Sequence, residues 1–496
     1  IVSVQPGEKL EYFFEVFDND EVNGSKSTKS SMQVFKLKTF DEIHKEIEKN
    51  IESSKSDLQN LIDQSAKLIN QIESFQNKLM QQSQINWQEK KELEALLENY
   101  NDIREQIDQI RQNQQDNKML EEQYKDLNQE ILKKQEELIK RFDDILSDEV
   151  KEMLQKLQQM MQNQNKDQIQ KEMDKLKMSA QDINKELDQQ MELFKLLEFE
   201  KKFQEVIDQT RKLAEDQKNL SNQIDQKELS KEERISKQNL LNDRFKDLQK
   251  EIQQLHKQNK QLEEPAALKN RDQQQEEIKQ DMNEALQNLQ KSNNSRAKNR
   301  QQSASDKLDQ LADDLEQEKN EAENEDLAED IETLRLILNN LLRVSFKQES
   351  NIKLIHSINA KSPLITDASR AQKEILDYMS LIGDSLDQLA KRQTAVKPFI
   401  QKELSKVEQY LQSIQTDLAD RRLHTASANQ QFALTSINNL SLMLAESLKE
   451  VKEMKQQSDG KCNKKGGNSS CSKPGSGKSK PRSARELQQQ LNRQME

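Results

Sequence analysis

The chain has 496 residues, of which 32% are hydrophobic, 33% charged and 4% aromatic. An average globular domain has about 45–50% apolar residues, so this composition excludes a thick, multilayered core. It is sufficient for narrow seams between helices, where about two positions in seven need be apolar. The net charge of -12 is mild for this length and argues against a general nucleic-acid binder.

Glycine and proline are scarce over most of the chain. Only 8 glycines are present, and there is none between Gly24 and Gly383. Between Pro6 and Pro398 there are two prolines, Pro265 and Pro363. Sheet proteins need many turns, and turns depend on these two residue types. The sequence therefore predicts a mainly α protein of long, coiled-coil-type helices and helical hairpins.

The first 38 residues have a different pattern. Residues 9–17 and 31–37 are rich in aromatic and branched side chains, which is typical of strands. Asn23 and Gly24 between them are a turn signal. Because a lone two-stranded hairpin is marginal in water, we interpret it as the last hairpin of a truncated β-sandwich-like domain.

From residue 41 onward, apolar residues recur at alternating spacings of four and three, which keeps one stripe of each helix facing a partner. Three runs show this best: Ile169, Met173, Leu176, Ala180, Ile183, Leu187, Gln190 and Phe194; Leu241, Phe245, Leu248, Ile252, Leu255, Asn259 and Leu262; and Ile400, Leu404, Val407, Leu411, Ile414 and Leu418. Asn259 either fixes the register of a seam or faces water at its end.

Several breaks indicate helices that fold back rather than one rod. We expect interruptions at 112–118, at 161–167 and at 228–230, where Ser230 and Glu233 form a capping-box pattern. Glu264-Pro265, Ser362-Pro363 and Lys397-Pro398 mark further boundaries, and residues 291–305 are predicted to be a loop. The predicted organisation is a β hairpin at 1–38, a coiled-coil region at 41–262, a helical region with an acidic segment at 266–345, a helical bundle at 364–456, a Gly/Ser/Lys/Pro linker at 459–482, and the start of another helix at 484–496.

Three patterns resemble chemical sites, and each has a simpler explanation. Residues 472–479 differ by one residue from a phosphate loop, but they lack the strand and helix that such a loop connects. Asp18, Asp20, Asn23 and Gly24 are similar to a calcium loop, although a turn explains them equally well. Cys462 and Cys471 either form a disulfide or remain free thiols. We therefore predict no catalytic residue, no metal site and no cofactor.

Two segments are strongly charged. Residues 461–482 contain seven Lys or Arg residues and no acid, which favours a solubilising linker. Residues 313–332 contain eleven acids and one lysine, which favours a solvated helix face.

Five stretches carry a family resemblance: 12–30, 191–220, 385–393 (SLDQLAKRQ), 419–422 (ADRR) and 429–448. They resemble a large bacterial membrane-protein family known as domain of unknown function 4175. The resemblance implies a chain anchored by transmembrane helices that precede Ile1, followed by β-domains and these coils. It implies a location in the bacterial cell membrane or envelope, and it carries over no catalytic residue.

The expected function is therefore a non-enzymatic scaffold that binds protein partners or itself through helical seams and does not bind nucleic acid. The alternative is the coiled-coil arm of an ATPase-type enzyme whose catalytic domain lies outside these residues. The candidate interaction residues are Arg392, Arg421 and Arg422, which lie near the ends of two successive predicted helices. We expect them to converge where those helices pack and to bind carboxylates, because the arginine fork matches a carboxylate.

Overall fold

The computed structural model describes residues 7–17, 26–81, 86–124, 129–145, 148–163, 166–226 and 229–462. It is mainly α, with eleven helices and a small antiparallel strand region among these residues. The chain divides into two compact units, Ile1–Lys177 and Met178–Glu496, and the predicted 41–262 region spans this division. The possible calcium loop, Cys471, the phosphate-loop-like stretch and 484–496 lie outside the described residues.

The first unit begins with an antiparallel hairpin, as predicted. Strands β1 (Lys9–Tyr12) and β4 (Gln33–Lys36) pair, and so do β2 (Glu15–Phe17) and β3 (Ser27–Lys29). The predicted single strand at 9–17 is interrupted at Phe14, whose backbone N–H bonds to the Ser30 hydroxyl at 2.9 Å. A side chain thus replaces one rung of the ladder and divides the hairpin into two short sheets.

Two long helices of the first unit form an antiparallel hairpin. Helices α1 (Phe40–Gln81) and α2 (Trp87–Tyr124) pack together, with Lys78 paired to Glu92 near the turn and Asn50 bonded to Asn117 at the far end. Helices α3 (Gln129–Ile145) and α4 (Asp148–Asn163) pack against α2. Helix α5 (Lys166–Gln226) begins in this unit, where Gln76 donates to Asp174 at 2.8 Å.

The predicted interruption at 112–118 is wrong, because α2 is continuous there. Asn117 is 3% exposed and occupies a seam position, where its side chain accepts a hydrogen bond of 2.8 Å from Asn50. A polar pair therefore continues the seam that apolar residues form elsewhere. The capping box predicted within the break at 228–230 is confirmed. Ser230 and Glu233 form it at the start of α6 (Lys231–Asn259).

The second unit contains two successive helical cores. Helices α6, α7 (Asp272–Gln290) and the first part of α8 (Asn294–Ser357) surround one core with the last part of α5. The last part of α8 packs against α9 (Ile365–Ala390) and α11 (Leu423–Cys462), and α10 (Pro398–Ala419) packs against the same two helices. These four helices form a bundle whose core includes the whole predicted seam from Ile400 to Leu418.

The predicted loop at 291–305 is wrong, because α8 begins at Asn294. Two of its polar residues are buried by tertiary contacts that the sequence does not show. Gln301 donates to Gln238 at 2.8 Å, and the Ser305 hydroxyl donates to the Ala214 carbonyl at 2.9 Å. The linker predicted from residue 459 also begins later, since α11 extends to Cys462.

Asn259 follows neither of its two predicted roles. It is the last residue of α6 and is 6% exposed. Its amide accepts from the Ala266 backbone N–H and donates to the Ala266 carbonyl, both at 2.8 Å. Asn259 therefore holds together the start of the connection between α6 and α7. Helix α6 ends at Asn259, several residues before Pro265.

Helix ends in this glycine-poor chain use other residues in the left-handed conformation. Ser292 (φ 58°) follows α7, and Arg421 (φ 59°) follows α10. Each lies in a Schellman motif, with backbone bonds from Asn293 to Asn288 and from Arg422 to Asp417. The glycine of α9 has a different role: a Cβ on Gly383 would lie 3.2 Å from Leu404, so glycine permits the close approach of α9 and α10.

We expect Ser292→Gly to stabilise the second unit by about 1 kcal/mol, because glycine adopts positive φ without the steric cost of a Cβ. Slower hydrogen exchange of peptides from α7 and α8 would show the gain. Ser292→Ala is the matched control and should give no stabilisation, since alanine keeps the Cβ. Equal exchange rates for both variants would contradict the assignment.

Candidate interaction site

The three candidate arginines do not converge. Arg392 lies between α9 and α10, whereas Arg421 and Arg422 lie between α10 and α11. They are therefore at opposite ends of α10, whose 22 residues span about 33 Å. The expectation that all three form one site is wrong, and the two locations have different surroundings.

Arg392 is embedded among carboxylates of its own chain. Its side chain is 15% exposed and contacts Glu264, while Nη2 lies 2.8 Å from Asp330 Oδ1 and 3.6 Å from Glu329. The contact with Asp330 lacks hydrogen-bond alignment, because Oδ1 accepts no directed hydrogen bond. Gln393 completes the arrangement by donating to Asp330 Oδ2 at 2.9 Å. Arg392 therefore binds carboxylates, but they belong to α8 and to the connection after α6.

Lys391 makes the same kind of contact on the other side of the same turn. Its Nζ lies 2.9 Å from Asp188 of α5 and 3.2 Å from Glu263. Lys391, Arg392 and Gln393 are the last three residues of the SLDQLAKRQ stretch. They connect the end of α9 to α5, to the segment after α6 and to α8. We call this set the polar junction: Asp188, Glu263, Glu264, Asp330, Lys391, Arg392 and Gln393.

Burial dominates the electrostatics of the polar junction. It raises the pKa of Asp330 to about 8, and Asp326 and Glu329 act in the same direction, whereas the hydrogen bond from Gln393 acts against it. Burial also lowers the pKa of Arg392 to about 10, which leaves the guanidinium charged at neutral pH. A carboxyl group that is buried and crowded by other acids retains its proton to a higher pH than an exposed one.

Arg421 and Arg422 lie at the opposite, more exposed end of the bundle. Arg421 donates to the Ala360 carbonyl at 3.1 Å. Arg422 is 53% exposed and lies 3.0 Å from Asp417 and 3.1 Å from Asp420. Arg421 thus contacts the connection between α8 and α9, and Arg422 stabilises the end of α10. Their role in binding a partner stays a prediction.

The acidic part of α8 is only partly the solvated face that the sequence favours. Arg271 is paired with Asp314 at 3.1 Å and with Glu318 at 3.1 Å, and Glu318 is 5% exposed. Together with Asp330, which is 2% exposed, these acids fix neighbouring elements to α8. The charge run is therefore in part an internal binding surface for the arginines of the same unit.

The sequence analysis did not predict two side-chain hydrogen bonds, because the residues that form them are far apart along the chain. The Ser427 hydroxyl lies 3.1 Å from His356 Nε2 on an exposed end of the bundle. This contact holds the end of α8 against the start of α11. The Ser405 hydroxyl donates to Asp182 Oδ1 at 2.5 Å and so joins α10 to α5.

Among the described residues, no cluster of His, Cys, Asp or Glu is arranged to hold a metal ion, and no helix combines the length and apolar character needed to cross a bilayer. Comparison with protein-family models, curated proteins and solved structures gave no match. The local geometry is therefore the basis for the functional proposal below.

Proposed function

We propose that this protein is a non-enzymatic scaffold that binds protein partners, or further copies of itself, through the outer faces of its helices. The observation that supports it is a set of large apolar side chains exposed on the four-helix bundle. Leu342 is 49% exposed, Phe346 70% and Leu442 68%. Large apolar side chains that are exposed together on one surface are typical of interaction sites.

The three side chains lie at one level of two neighbouring helices. Leu342 and Phe346 are four residues apart on α8 and therefore share a face. Helix α11 runs antiparallel to α8, and the Ser345 hydroxyl donates to Asn438 at 2.9 Å. Leu442 follows Asn438 by one turn, which brings it level with Leu342. We call Leu342, Phe346 and Leu442 the apolar patch.

The chemistry of the patch favours another helix as the ligand. An amphipathic helix can place apolar residues at spacings of three and four against the apolar patch on α8 and α11. The location of the scaffold in a bacterial cell envelope, with a membrane anchor, rests on the family resemblance alone.

The test is the double variant Leu342→Glu/Phe346→Glu in the full chain. We expect loss of self-association in sedimentation velocity, or loss of specific proteins identified after affinity purification from bacterial membranes, because two charges oppose apolar burial. The melting temperature should change by only a few degrees, since both side chains are already exposed.

Gln412→Glu, at an exposed position of α10 on another helix of the same bundle, is the matched control and should behave like the wild-type protein. Arg421→Ala/Arg422→Ala tests the predicted arginine site in the same assays. A patch variant with unchanged association and unchanged partners would contradict the proposed interface.

A further inference from the structure

The middle of α5 is attached to the four-helix bundle through polar side chains. Asp182 accepts from Ser405 of α10 at 2.5 Å, Gln189 donates to Asp387 of α9 at 2.8 Å, and Asp188 is paired with Lys391 at 2.9 Å. We call α5 residues 182–189 the α5 clamp. A clamp made mainly of partly buried carboxyl groups is sensitive to their protonation.

We propose that the α5 clamp is a proton-dependent contact, which docks on α9 and α10 more firmly in mildly acidic solution than at neutral pH. The geometry supports this because the acids outnumber the bases where α5 meets the other two helices. The charged groups that face one another are Asp182, Lys185 and Asp188 of α5, Glu263 after α6, Asp384, Asp387 and Lys391 at α9, and Lys402 and Glu408 of α10.

Burial has the same effect on three of these acids. It raises the pKa of Asp182 to about 6, against the hydrogen bond from Ser405 and the charges of Lys185 and Lys402. Burial also raises the pKa of Asp387 and of Glu408. Docking removes water from each of these three carboxyl groups, and the loss of hydration disfavours the charged form of the group.

The direction of the effect follows from linkage. A carboxyl group whose pKa is higher when docked binds its proton more tightly in the docked state, so protonation favours docking. The benefit is present at low pH and is lost as the pH rises from the exposed value of 3.8 towards about 6 for Asp182. For Asp182 alone, docking should be about tenfold more favourable at about pH 5.0 than at about pH 7.5.

The experiment is hydrogen exchange of the full chain at those two pH values, with each rate divided by the intrinsic rate at the same pH. We expect the protection of α5 peptides that cover 178–197 to be about tenfold higher at the lower pH. Asp182→Asn should give similar, high protection at both values, since its amide keeps an acceptor for Ser405 and carries no charge.

Asp188→Asn is the matched control, because it removes an ion pair at the same contact. It should lower protection at both pH values and retain the pH dependence. If Asp182→Asn does not fold, Glu408→Gln provides the same test and should reduce the dependence. Wild-type protection that is equal at the two pH values, or higher at pH 7.5, would overturn the proposal, as would full pH dependence in a folded Asp182→Asn protein.

Discussion

Leu411→Asp should unfold the four-helix bundle of the second unit. Leu411 is fully buried in the core between α10 and its neighbours, and no described cation shares that core. Removing a buried leucine side chain costs about 2–5 kcal/mol, and burying an uncompensated carboxylate adds to that cost. The sum is comparable to the whole stability of a typical domain. Hydrogen exchange of α9 and α10 peptides at the rates of an unfolded chain would show this result.

Gln412→Asp is the matched control, since it adds the same charge at the neighbouring exposed position of α10. It should change exchange in these peptides only slightly, because an exposed charge remains hydrated. Native protection of α9 and α10 in Leu411→Asp would mean that position 411 does not face the core.

Arg392→Met should destabilise the second unit by about 3 kcal/mol. The substitution leaves the Glu264 carboxylate without its guanidinium partner in a largely buried location, and removing one member of a buried ion pair is strongly destabilising. It also removes the cation that lies beside the crowded acids Glu329 and Asp330. Peptides from α8 and from the connection between α9 and α10 should lose protection together, because the polar junction joins them. Arg370→Met, at a residue that is 70% exposed, should have little effect.

A triple variant separates the loss of charge pairing from the loss of packing. Replacing Arg392 by Met together with Glu264→Gln and Asp330→Asn removes the unpaired Glu264 carboxylate and one of the crowded carboxyl groups beside it, and should recover most of the lost stability. If the triple variant is as unstable as Arg392→Met alone, the contribution of Arg392 lies in the packing of its side chain rather than in its charge.

The sequence determined the fold class and the seams. Spacings of three and four placed Leu404, Val407 and Leu411 in the core, and a 3.6-residue helix forces such residues onto one face whatever the partner is. Local stop signals were equally informative: Pro398 begins α10, and Ser230 caps α6. These features depend on residues within one or two turns, so a local pattern is sufficient to predict them.

The sequence prediction failed at polar stretches whose side chains form hydrogen bonds with distant parts of the chain. The stretches at 112–118 and 291–305 look like breaks in the sequence, yet Asn117 and Gln301 find hydrogen-bonding partners across the seam. A buried amide that is paired costs far less than an unpaired one, so a helix can continue through it. The partners, Asn50 and Gln238, are 67 and 63 residues away, beyond the range of any local pattern.

Only the tertiary structure determined the burial and the ion-pair partners of the candidate arginines. The sequence placed Arg392 and Arg422 near helix ends, and in the folded chain each contacts carboxylates of its own chain. It could not show that Arg392 is enclosed by Glu264, 128 residues earlier, while Arg422 remains half exposed at the other end of α10. Helix ends are set by neighbouring residues, whereas the ion pairs and the pKa of a buried group depend on which distant segments the folded chain brings within a few ångströms.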